Sequence, residues 1–220
     1  MLESLINADE RLLNPMERIS EVLFALIMVL TFTCSFSVAD AGREEVRTML
    51  LGSLGCNLAW GIIDATLYLM ACFSTRGRAI LTLAALQQAP SQTEAHAVIA
   101  QALPPLLVSV LSTEDLETMR ERLSHVGSVP QRPQLSKREW MGALGVFLIV
   151  VLTTLPVIVP FALTANAHRA LRISNGIAVI MLFLAGYAFG KYSGHRPWGM
   201  ALAMVILGSA VVGITISLGG

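Results

Sequence analysis

The sequence is short of charge. Only 14% of its 220 residues are Asp, Glu, Lys or Arg, while 55% are hydrophobic. Soluble domains carry about 25% charged residues, so this balance excludes a disordered chain and an ordinary soluble enzyme domain. Fifteen basic residues cancel fifteen acidic ones. No global field attracts a polyanion, which excludes nucleic acid as a partner. Cysteine is scarce: Cys34, Cys56 and Cys72 make no CxxC or metal-finger spacing and read as small buried hydrophobes. The four histidines, His96, His125, His168 and His195, form no HxxxH or HExxH pair, and no phosphate-binding glycine loop or GxSxG elbow occurs. These absences leave an enzyme as the least supported class.

What is present is apolar sequence in long runs, giving a mean hydropathy of +0.67. A helix needs about 20 predominantly apolar residues to cross a hydrocarbon core of roughly 30 Å. Five stretches meet that length: 19–39, 48–73, 140–163, 173–190 and 198–218, none containing Lys or Arg. Strict apolar–polar alternation is absent, which argues against a barrel, and helices satisfy their own backbone groups in lipid. The expected fold is all-α: a polytopic membrane protein with five transmembrane helices and a small cytoplasmic helical region. Its segments are 1–73, with the first two spans; 74–138, the helical loop; and 139–220, with the last three spans.

The first 18 residues are mixed in charge and do not read as a cleaved signal peptide. Leu2, Leu5, Ile6, Leu12, Leu13 and Met16 recur at helical spacing, as in a surface amphipathic helix or equally a frayed terminus. Asn14-Pro15 reads as a cap followed by proline at the first helical position, so the first span starts near Pro15. Within 74–138, Ala79–Gln88, Thr93–Leu103 and a segment from Ser112 to about Leu123 read as helices, broken by Pro104-Pro105. They are too short to bury a core alone and suggest a cap, shared between subunits. With five spans, eleven Lys and Arg lie on the face holding the N-terminus, this loop and 191–196, against four on the other. The positive-inside rule then puts the N-terminus in the cytoplasm and the C-terminus outside.

The acids inside apolar runs carry the functional signal, because a carboxylate at mid-membrane costs roughly 2.5–3.5 kcal/mol on insertion scales. Asp64, in LGCNLAWGIIDATLYLM, lies about nine residues, or on the order of 14 Å, from the inner end of span two. Asn57, Gly61, Asp64 and Tyr68 share one helical face, a polar stripe that should point into the bundle. Glu21 sits near the cytoplasmic end of span one, as an entrance ligand or as an interfacial carboxylate beside Arg18. Met28 lies two turns beyond Glu21. Counted from the cytoplasmic boundary it matches Asp64 in depth, so the two form a candidate pair unless Met28 simply packs a helix seam. A carboxylate with a thioether suits a borderline transition metal such as Fe²⁺ or Mn²⁺ better than Ca²⁺ or Mg²⁺. Glu114, Glu117 and Glu121 share a helical face that could collect cations, or be a solvated face with acids at a helix start. Pro156 and Pro160, in LPVIVPF, should bend span three or free carbonyls for a cation. Gly186–Gly190 and Ser209–Gly213 are small-xxx-small pairs, and Gly52, Ser53, Gly55 and Cys56 make another small face; these permit close helix contact within a chain or across a dimer.

The order and spacing of these motifs resemble the vacuolar iron transporter family. GxxxNLAxG…YL resembles that family's second helix, LPVIVPF its proline-bearing third, and RISNGIAVIMLFLAGYAFGKYSG with MVILGSAVVGITISLGG its last two. The resemblance implies a homodimer with a pathway at the subunit interface, and export of Fe²⁺ or Mn²⁺ from the cytosol coupled to protons. No tightly bound cofactor is implied, and the location is a bacterial inner membrane. The family's first helix carries an Asp and its second a Met; here Met28 stands at the former position, and Ile63 or Asp64 at the latter, as though the ligand types were exchanged. The glutamates that follow the family's second helix are missing from ACFSTRGRAILTLAALQQAP. Two other functions stay open: a non-transporting membrane scaffold of the same fold, and an exporter of an organic solute.

Overall fold

The computed structural model describes residues 15–35, 43–125, 132–164 and 166–217. The surface helix expected before residue 15 lies outside them, as do the side chains of Cys34 and His168. Among the described residues the regular structure is entirely helical: α1 (Pro15–Ser35), α2 (Arg43–Gln88), α3 (Gln92–Ala102), α4 (Pro105–Val108), α5 (Thr113–Ser124), α6 (Lys137–Leu163), α7 (Ala167–Tyr192) and α8 (Pro197–Ser217). Three of them, α2, α6 and α7, are long and apolar enough to cross a membrane, and Pro197–Val211 of α8 is a shorter apolar helix.

The sequence places a loop from residue 74, yet α2 runs unbroken for 46 residues. Its charged turn is accommodated by partners. Arg76 Nε donates to Glu139 Oε1 and Arg76 Nη1 to the Gln134 carbonyl, both at 2.7 Å. Pro156 and Pro160 lie within α6, which also continues through them.

The chain divides into two compact units. One holds the described residues up to Tyr68 and those from Met141 onward. Leu26, Val29 and Leu30 of α1 are buried there with Val157 of α6 and Ala178 and Leu182 of α7. Met49, Phe161 and Ala170 form a second cluster. The absent side chains of Gly186 and Gly190 let α7 lie directly on α8. A Cβ at Gly186 would sit 2.9 Å from the Ala201 Cα, and one at Gly190 2.7 Å from the Pro197 Cα. Trp198 closes this seam against Phe183 and Tyr187, with ring centroids 5.8 and 5.5 Å away.

The other unit holds Leu69–Trp140. Its short helices bury a core because the end of α2 supplies part of it: Leu83 and Leu86 pack with Ala95 and Ile99 of α3, and Leu116, Met119 and Leu123 of α5 close over them. The starts of α3 and α5 are capped by side chains. Ser91 Oγ accepts from the Glu94 N–H. Ser112 and Asp115 form a reciprocal capping box that satisfies two helix-start donors.

Candidate functional site

Asp64 stands mid-way along the apolar part of α2, half-buried, with its Oδ2 enclosed and without a hydrogen-bond partner. A carboxylate removed from water without a compensating donor is costly unless a cation or proton joins it. Asn57, on the same face, is 1% exposed. Its Nδ2 donates to the Val150 carbonyl at 3.1 Å and to Thr154 Oγ1 at 2.6 Å, tying α2 to α6. Gly61 lets Phe147 approach, with a Cβ there falling 3.0 Å from the Phe147 ring, and Tyr68 lies over Gly142. Asn57, Gly61 and Tyr68 of the stripe read from the sequence therefore meet α6.

The pairing of Met28 with Asp64 is not what the structure builds. Met28 Sδ accepts from Cys56 Sγ at 3.7 Å. One turn away Phe24 stacks edge-on against Trp60, ring centroids 5.1 Å apart. These two contacts fix the antiparallel register of α1 on α2: four residues back on α1 match four forward on α2. Asp64 is eight residues beyond Cys56, about 12 Å along the axis, so the Met28 sulfur does not reach it. Continued by one turn, the register brings Ser20 and Glu21 to the level of Asp64. The depth count fails because α2 continues to Gln88, so the end of its apolar run does not mark a common boundary with α1. Cys56, read as a mere hydrophobe, is the residue that meets Met28; only the register reveals it.

The three acids of α5 differ. Glu114 and Glu121 are exposed. Glu117 is engaged: it accepts from Arg120 Nη2 at 2.6 Å, from Arg120 Nε at 2.9 Å, and from His96 Nε2 at 2.8 Å. Hydrogen bonds from Arg120 first, and His96 second, lower its pKa from 4.5 to about 2. Gln92 Nε2 also donates to it at 3.3 Å, and a cation would have to displace these partners to use the carboxylate. Among the described residues no group of three His, Cys, Asp or Glu side chains comes together as a metal site.

The sequence profile of the VIT family matches residues 81–220, well over half the chain. The chain belongs to the VIT family. The match covers the end of α2 and everything after it, and leaves Asp64, Met28 and Glu21 of this VIT-family chain outside. Vacuolar iron transporter 1 of Oryza sativa subsp. japonica is 30% identical to it over 73 residues, 33% of this chain and 29% of the relative. The aligned region thus spans less than a third of that protein. Apolar helices and family together make the VIT-family chain an integral membrane protein.

Proposed function

We propose that this VIT-family protein moves a divalent transition-metal ion, Fe²⁺ or Mn²⁺, out of the cytosol in exchange for protons, with Asp64 as the group that binds ion and proton in turn. The observation that carries the reading is the enclosed Asp64 Oδ2 without a protein donor in an apolar helix. Deprotonated, that oxygen attracts a cation; protonated, it releases one. Glu21, brought to the same level by the α1–α2 register, is the second carboxylate on the cytoplasmic side. Asn57 and Tyr68 shape the path beside it. Met28, with Cys56, offers sulfur about two turns further along. The name of the rice relative, an iron transporter, supports a metal as cargo. One chain offers two acids at this level, and in this reading two copies assemble around the route. In this reading α1 and α8 also cross the bilayer, giving five spans, with the N-terminus cytoplasmic and the C-terminus outside a bacterial inner membrane. Glu114 and Glu121 are the acids of α5 left to attract cations.

The test is Asp64→Asn in proteoliposomes. The variant should keep its assembly state and lose metal-driven proton flux at least tenfold. Wild-type flux in the variant removes the mechanism, and absence of metal flux from the wild-type protein itself favours the scaffold reading.

A further inference from the structure

Four buried side-chain oxygens among the described residues have no hydrogen-bond partner: Ser53 Oγ, Asn57 Oδ1, Asp64 Oδ2 and Asn175 Oδ1. Three belong to one helix, α2. At 100° per residue, Ser53 and Asn57 lie about 40° apart around its axis, and Asn57 and Asp64 about 20° apart. The three residues that carry the orphaned oxygens thus share one face of α2, with axial rises of about 6 and 10.5 Å between them. Buried polar groups are nearly always satisfied, so three exceptions on one stripe call for a common cause.

Local alternatives are closed. Ser53 and Asn57 are each 1% exposed, which rules out bulk water. Elsewhere on α2 a hydroxyl satisfies itself on the carbonyl four residues back, as Thr48 does on Glu44 and Thr66 on Ile62; Ser53 does not. The Asn57 amide cannot be turned over, since the Val150 carbonyl accepts only and therefore takes the Nδ2. That fixes Oδ1 as the unpartnered end. Both free atoms are neutral oxygens, the ligand type of hard, oxygen-seeking cations, which keep part of their water.

We infer that Ser53 Oγ and Asn57 Oδ1 form a second cation station, beyond Asp64 on the same face of α2, for a hard, partly hydrated divalent cation. This rests on the transport role of Asp64 and adds an all-oxygen step to it. A neutral station following a charged one lets the ion leave the carboxylate without meeting a second equally tight site.

The experiment uses the full-length protein, with Mn²⁺ as the probe and Ser53→Ala as the variant, since Asn57 also clamps α6. Ser53→Ala should keep the assembly state, lose at least half of the Mn²⁺-induced rise in melting temperature, and lower Mn²⁺ flux in proteoliposomes at least fivefold. A variant that matches wild type in both measurements overturns the station. So does one that melts lower by the same amount with and without Mn²⁺, which means a structural water only. Asp64→Asn run in parallel separates the two readings. Lost flux in Asp64→Asn with full flux in Ser53→Ala removes the station alone. Full flux in Asp64→Asn removes the carboxylate mechanism, and the Ser53 melting comparison still decides whether a cation sits there.

Discussion

Glu117 shows how a single carboxylate can be committed to structure. Arg120 reaches it from one turn along α5, and His96 and Gln92 from α3. Its pKa is depressed to about 2, so the sign of the linkage is fixed. The contribution is complete above the ordinary value of 4.5 and is lost as pH falls through that value toward about 2. Amide exchange in α3, corrected for intrinsic rates, should therefore speed up in acid across this window. Glu117→Gln should exchange faster already at neutral pH and show a smaller acid step; an unchanged step would mean that other groups hold α3 to α5. Tyr68 and Gly142 form a second pair whose geometry is decisive. A Cβ at Gly142 would meet the Tyr68 ring, with Cζ at 2.7 Å and Cε1 at 2.8 Å. Gly142→Ala should cost about 1–3 kcal/mol through overpacking. Adding Tyr68→Ala should remove most of that penalty in a double-mutant cycle of melting in detergent. Independent effects would show that the ring does not rest on the glycine.

Helix ends and apolar faces were readable because each has a local cause. Pro15 starts α1 and Ser112 caps α5, both as the sequence indicates. The shared α2 face of Asn57, Gly61, Asp64 and Tyr68 follows from helical periodicity alone, and Asn57, Gly61 and Tyr68 meet α6 along it. Two features had no local cause. The continuation of α2 past Phe73 depends on Arg76 finding Glu139 and Gln134, distant in sequence. The register of α1 on α2 depends on which side chains interlock, and hydropathy carries depth without rotation; hence the sequence alone matches Met28 to Asp64 and not to Cys56. The glycine pairs divide in the same way. Spacing marks Gly186–Gly190 and Ser209–Gly213 alike, yet Gly186 is pressed against α8 backbone, while a Cβ at Gly213 would meet nothing within 4 Å. Gly186→Ala should destabilise the α7–α8 pair by about 1–3 kcal/mol, because the opposing atoms are main chain and cannot swing away. Gly213→Ala should be neutral, or gain up to about 1 kcal/mol of helix propensity. Thermal melts of the two variants in one detergent check this, and equal melting points would refute the close approach.

For the whole molecule, the direction of the proposed transport depends on which side each loop faces. The family profile begins at residue 81, so it does not reach the helices that carry Asp64 and Glu21. Charge supplies the remaining argument. Arg76, Arg78, Arg120, Arg122, Arg132, Lys137 and Arg138 fall between α2's apolar run and that of α6, and Lys191 and Arg196 flank the α7–α8 turn. Holding these residues in the cytoplasm puts the α6–α7 turn outside, with only Arg169 and Arg172 near it. Single cysteines at Ser91, Asn166 and His195, all exposed, in a protein with Cys34, Cys56 and Cys72 replaced, read this directly. In intact cells a membrane-impermeant maleimide should label the Asn166 site. Labelling at the Ser91 and His195 sites should appear only after permeabilisation. The opposite pattern would invert the protein and make the Glu21 end the exit, so the same carboxylates would then serve uptake. Labelling of the Ser91 and His195 sites from different sides would break the even number of crossings between them, α6 and α7, and with it the five-span topology.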